Sequence, residues 1–137
     1  MDRRDFQSLS RVRAKEAEAL LGFGLNDGAY YLAGYAVECA LKACIAKGTR
    51  RHEFPDRKKV EASHTHKLGD LVKLANLEKA RLNRITADSE FGRNRDLVQE
   101  WSEHSRYNRY SAADARALVA AVNDRRHGVV AWIKPHW

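Results

Sequence analysis

Ala29-Tyr30-Tyr31-Leu32-Ala33-Gly34-Tyr35-Ala36-Val37-Glu38-Cys39-Ala40-Leu41-Lys42-Ala43-Cys44-Ile45-Ala46-Lys47 is apolar almost all the way round when wound at helical pitch. Tyr30, Gly34, Val37, Leu41 and Cys44 make one stripe, and Leu32, Ala36, Cys39 and Ala43 make another. A helix with so little polar surface must be wrapped by its neighbours, so this stretch is the central helix and the fold is helix packed on helix. The small residues around Gly34 predict close approach of a neighbouring helix. Tyr31, Tyr35, Glu38 and Lys42 form the one polar stripe, where function is expected. Glu38 and Lys42, at i and i+4, read first as a partly buried ion pair and second as the floor of a site beside the two tyrosines.

On the N-terminal side, Leu9, Val12, Glu16, Ala19 or Leu20, and Phe23 recur at helical spacing, predicting a helix from about Phe6 to Leu21. Gly22, Gly24 and Gly28 break it, with Asn26 or Asp27 available to cap the central helix. On the C-terminal side, Gly48 to Ser63 is polar and basic and reads as a loop. Ser63 or Thr65 caps a third helix through Leu68, Leu71, Val72 and Ala75, and a short helix follows Asn76. After a break from Asp88 to Gly92, a helix is expected from about Arg93 to His104. A last one starts after Ser111 and runs, despite Gly128, until Pro135. Period-two alternation and hairpin signals are absent, so the expected fold is one all-α domain over residues 1–137, a compact bundle of about five helices.

With 137 residues, 25 Lys and Arg against 18 Asp and Glu, and a net charge of +7, the chain can build one core and favours polyanionic partners. Cys39 and Cys44 point apart on the central helix, which disfavours a disulfide and predicts reduced thiols and a cytoplasmic setting. The N-terminus has no signal-peptide pattern, and Glu38 and Lys42 interrupt the most apolar stretch, so no membrane association is expected.

Chemistry-bearing clusters are few. His64 and His66 diverge at i and i+2, and neither they nor His52 come with a Cys-x-x-Cys or His-Glu-x-x-His pattern. They read as exposed imidazoles, and no metal or cofactor is expected. Arg106-Tyr107 and Arg109-Tyr110 repeat an Arg-aromatic doublet in which guanidinium can pair with phosphate and the ring can stack on a base, or in which the tyrosines are structural anchors. Trp101 reads as a core anchor. Arg95 and His104 fall on opposite sides of a continuous helix and can meet only if that helix breaks before His104, or across a dimer. Glycine-rich phosphate loops and nucleophile elbows are absent.

The central stretch, followed by His66-Lys67-Leu68-Gly69-Asp70-Leu71 and then Trp101-Ser102-Glu103-His104-Ser105-Arg106-Tyr107, resembles the HEPN domain of prokaryotes over nearly the whole chain. The resemblance implies a helical homodimer that binds RNA or nucleotides. It also implies membership of a toxin-antitoxin or defence system, or partnership with a minimal nucleotidyltransferase or an antitoxin. Many members cut RNA without metal through an Arg and a His four to six residues apart. Here neither Arg93 nor Arg95 has a His at that spacing, His104 comes late, and Arg57 with His64 fits only within the expected loop. Two functions follow as expectations. One is an RNA-binding protein, possessing at most a degenerate metal-independent ribonuclease site at Arg95 and His104, with phosphates held by Arg93, Arg106, Tyr107, Arg109 and the basic residues Arg50, Arg51, Lys58 and Lys59. The other is a non-catalytic helical interaction module. Trp101, Trp132 and Trp137 in the later elements further suggest an apolar face that a two-fold partner would cover.

Overall fold

The two longest helices, α1 (Arg3–Gly22) and α2 (Asn26–Lys47), form an antiparallel hairpin in a computed structural model that describes residues 1–48, 54 and 56–137. Gly24, at φ 74°, makes the turn between them in the left-handed region that suits glycine. Asp2 starts α1 through a reciprocal capping box with Asp5. Midway, the buried Ser10 hydroxyl donates to the Ala36 carbonyl at 2.8 Å and ties the pair. Asn26 and Asp27 do not cap α2. Its first position has no side-chain cap, and Asp27 instead accepts from the Tyr110 amide at 2.7 Å, tying the start of α2 to a segment 83 residues further on.

Around α2 lie α3 (Arg57–Ala62), α4 (Leu68–Leu74), α5 (Glu78–Ala87), α6 (Ser89–Gln99), a 3-10 turn (Glu103–Tyr107), α7 (Ala112–Asn123), α8 (Val129–Ile133) and a short 3-10 turn (Lys134–His136). The described residues are thus all helical, with eight α-helices rather than about five. Every residue of α2 from Val37 to Leu41 is buried, packed against α1, α4, α7 and α8. Among the described residues no helix is long and apolar enough to cross a membrane.

Four boundaries differ from the periodicity reading, each for a local reason. The basic stretch expected as a loop holds α3, which Asp56 starts by accepting from the Lys58 amide; it buries no residue. The expected break at Asp88–Gly92 is a tight corner, because the Asp88 carboxylate accepts from the Phe91 amide and begins α6 at once, with Gly92 inside it. At its other end α6 stops at Gln99, short of His104. Ser102 and Ser105 form a second reciprocal box there and restart the chain as the 3-10 turn. The last helix divides after Asn123, where the Asp124 carboxylate captures the amides of Arg126 and His127 and Gly128 packs onto the Asp124 backbone.

Trp101, Trp132 and Trp137 are buried within the chain itself, so they form no apolar face for a two-fold partner to cover. Close approach at Gly34 does occur, but the partner is the Trp101 indole and not a helix backbone.

Candidate functional site

Glu38 is the one fully buried carboxylate among the described residues, 1% exposed in the middle of α2. Its Oε1 accepts from Lys42 Nζ at 3.0 Å, the ion pair that the i, i+4 spacing predicts, and from His66 Nδ1 at 2.8 Å. The second oxygen, Oε2, is buried and finds no hydrogen-bond partner among the described residues. His66 sits just before α4, where the Thr65 hydroxyl accepts from the Lys67 amide, and its Nε2 lies 3.5 Å from Glu103 Oε2 on the 3-10 turn. Glu38 and Glu103 therefore flank one imidazole, Glu38 at Nδ1 and Glu103 at Nε2. In the sequence His66 reads as a free, exposed imidazole. The only signal that could have placed it is its position before an apolar helix long enough to lie on α2.

Beside this chain of groups opens a pocket of about 450 Å³. Its apolar floor is built by Val37 and Leu41 of α2, Val98 and Trp101 at the end of α6, and Trp132 and Ile133 of α8. Its polar rim carries His66, Arg81, Arg95, Ser102, Glu103 and His104, with Lys67, Asp70, Lys73 and Glu78 further out. Arg95 and His104, which a continuous helix would hold apart, line this one cavity because α6 ends at Gln99 and the Ser102–Ser105 box turns the chain back. His104 is mostly exposed at the rim, whereas Arg95 is largely enclosed. Burial, and after it the positive charge of Arg81, holds the Arg95 guanidinium below its ordinary value.

The other expected site residues lie elsewhere. Arg93 is exposed on α6 and does not line the pocket. Tyr31 stacks between Tyr35 and Trp101, at ring-centroid distances of 6.1 and 5.9 Å, and Trp101 donates its indole N–H to the Tyr31 carbonyl. Those tyrosines therefore line the packing of α2 rather than an open site. Burial pushes the Tyr35 hydroxyl up from its ordinary value. The two Arg-aromatic doublets divide. Tyr110 is a structural anchor, stacked on Tyr30 at 3.6 Å and 8°, while Tyr107 is 73% exposed with the Arg106 guanidinium 4.8 Å above its ring. Arg106 and Tyr107, at the end of the pocket's 3-10 turn, and the exposed Arg109 just after it stand outside the cavity. Lys58 and Lys59 are on α3, and Arg50 and Arg51 lie outside the described residues. Arg81 and Glu103 are pocket residues that the sequence pattern does not single out.

Cys39 and Cys44 are free and buried, and burial pushes both thiols up to about 11, so neither is a nucleophile near neutral pH.

Compared with known proteins, the chain matches no family model, no curated protein and no solved structure. The pocket's chemistry therefore rests on its own residues. It combines an apolar floor, two imidazoles, two arginines and the rim carboxylate Glu103, with Glu38 behind it holding His66, a set able to hold an anion and move protons beside it.

Proposed function

We propose that the chain is a HEPN-like domain that binds RNA in the α2–α6 pocket and cuts it slowly without a metal ion. The observation that carries this reading is the convergence of Arg95 and His104, together with His66, on one cavity of a single chain. RNA supplies its own nucleophile. A base removes the 2′-hydroxyl proton, O2′ attacks phosphorus, and the P–O5′ bond breaks as an acid protonates O5′, leaving a 2′,3′-cyclic phosphate and a 5′-hydroxyl. Two imidazoles can divide the acid and base roles near neutral pH. His66, oriented by Glu38 at Nδ1 and with Glu103 Oε2 3.5 Å from its Nε2, suits the base, and the exposed His104 suits the acid. A guanidinium in an enclosed site stabilises the charge that builds on the phosphorane, which is the role of Arg95. The exposed Arg106, Tyr107 and Arg109 extend the path of the strand beyond the cavity, with phosphates on the arginines and a base on the tyrosine ring. A place in a toxin-antitoxin or defence system accords with such an activity.

Purified protein incubated with a single-stranded RNA in EDTA tests this reading. Cyclic-phosphate products are expected, with His104→Ala slowing cutting by about a hundred-fold or more while RNA affinity stays nearly unchanged. Equal cutting by the variant, or loss of cutting in EDTA, refutes it.

A second reading, a non-catalytic helical partner of a nucleotidyltransferase or other effector, draws on Phe23 and Leu25, which expose 82% and 56% of their surface at the α1–α2 turn. It predicts RNA affinity too weak to detect at low salt.

A further inference from the structure

The corner at Asp88 folds α5 back along α6 and brings Arg81 and Arg95 to the same cavity. Arg81 Nε is buried and finds no hydrogen-bond partner among the described residues. The ion pair that Arg95 makes is a 3.5 Å contact to Asp96, a residue facing solvent. Two cations thus line one wall of the cavity, Arg95 paired only with the solvent-facing Asp96 and Arg81 with its Nε unpartnered among the described residues. Such an arrangement is costly in the empty protein and is relieved by an oxygen anion, for which the planar guanidinium fork is the fitted donor. Glu78 and Asp70 also reach the pocket, but both are exposed, and neither forms an ion pair with these arginines among the described residues. The same cavity, about 450 Å³ and within the size range of small-molecule sites, is also lined by the edges of the largely buried Trp101 and Trp132.

We infer that Arg81 and Arg95 form a clamp for a terminal phosphate monoester carried on a nucleoside, with the sugar and base over the apolar floor. Two guanidinium charges match a phosphate monoester dianion better than an internal phosphodiester, which carries one charge. The ligand is either a free mononucleotide or the phosphorylated end of an RNA strand. This inference rests on reading the pocket as an RNA site and adds to it a strand-end preference and a residue, Arg81, that cleavage does not require.

Isothermal titration of the whole chain with adenosine 5′-monophosphate, adenosine, and a short RNA with and without a 5′-phosphate tests it, using wild type, Arg81→Gln and Arg81→Lys. The monophosphate is expected to bind at least tenfold tighter than adenosine. Arg81→Gln should weaken it tenfold or more, and Arg81→Lys, which keeps the charge but not the fork, should fall between. A gain from the 5′-phosphate on RNA identifies the strand end as the source, and a gain confined to the mononucleotide identifies the free nucleotide. Equal affinity for adenosine and its monophosphate, no binding of any phosphate compound, or wild-type affinity in both variants overturns the clamp. Should Arg81→Gln fail to fold, wild-type affinity in Arg81→Lys alone overturns it. If 5′-hydroxyl RNA still binds while the variants take the monophosphate like wild type, the clamp falls and the RNA reading stands. If the monophosphate binds through Arg81 and RNA does not bind, the clamp stands and the RNA reading falls.

Discussion

At Gly34 the surface of α2 lies flat against the Trp101 indole, and a Cβ there would run into the ring. Because Trp101 is the last residue before the Ser102–Ser105 box, its seat on Gly34 also sets where His104 emerges. Gly34→Ala is therefore expected to destabilise the fold by about 1–3 kcal/mol, the usual cost of overfilling a packed site. Denaturant unfolding checks this; wild-type stability in the variant would mean the indole does not press on α2. Glu38 and Lys42 can be paired from their spacing because both lie on one helix. The third member of that cluster, His66, cannot, since its bond to Glu38 joins residues 28 apart in sequence.

Helix ends, unlike helix centres, are decided by single side chains. Apolar periodicity locates α2 and the start of α7, which bury part of a long stripe, and it finds the extent of α1 but not its buried face, since Val12, Ala19 and Phe23 are exposed and Ser10 and Ala17 are the residues α1 buries. It misjudges the corner at Asp88 and the end of α6, because a capping aspartate and a pair of serines outweigh periodicity over one turn. That misjudged end is what separates Arg95 from His104 in the sequence reading, while the short helix after Asn76 is legible but its folding back along α6, which delivers Arg81, is not. The Asp88 corner carries a pH dependence of its own. Asp88 Oδ2 meets His127 Nδ1 at 2.7 Å and Arg84 Nε at 3.3 Å, fastening the α7–α8 connection to the α5–α6 corner. The bond to His127, chiefly, lowers Asp88 to about 2, and the bond to Asp88, chiefly, raises His127 above its ordinary value. Stability from His127 is complete below its unfolded value of 6.5 and is lost as pH rises through its folded value. Stability from Asp88 is complete above 3.8 and is lost as pH falls toward about 2. The melting-temperature gap between wild type and His127→Ala should therefore be widest between those two unfolded values and narrow on the alkaline side. A gap independent of pH would show that the pair is not charged in the folded protein.

Over the whole molecule, the +7 charge makes association with RNA a counterion-release process. Affinity for single-stranded RNA should fall steeply with salt, and replacing Arg106 and Arg109 by Gln should flatten the log–log slope by roughly 0.7 for each phosphate no longer neutralised. An unchanged slope would remove the 3-10 segment from the strand's path. The all-helical class is legible because α2 has almost no solvent face. The tryptophan argument for a dimer does not hold, since the three indoles are buried inside the chain and one chain already brings Arg95 and His104 to a common cavity. A homodimer remains what the HEPN resemblance proposes, without being needed to assemble this site.

The central claim is that RNA enters the pocket between His66 and His104. Titrating the protein with a short 2′-O-methyl RNA, which lacks the attacking hydroxyl, while following histidine ring signals by NMR tests it directly. The His66 and His104 resonances are expected to shift together along one saturation curve while His127, held on Asp88 and not lining the pocket, stays put. Saturable RNA binding that leaves both pocket histidines unmoved would contradict it.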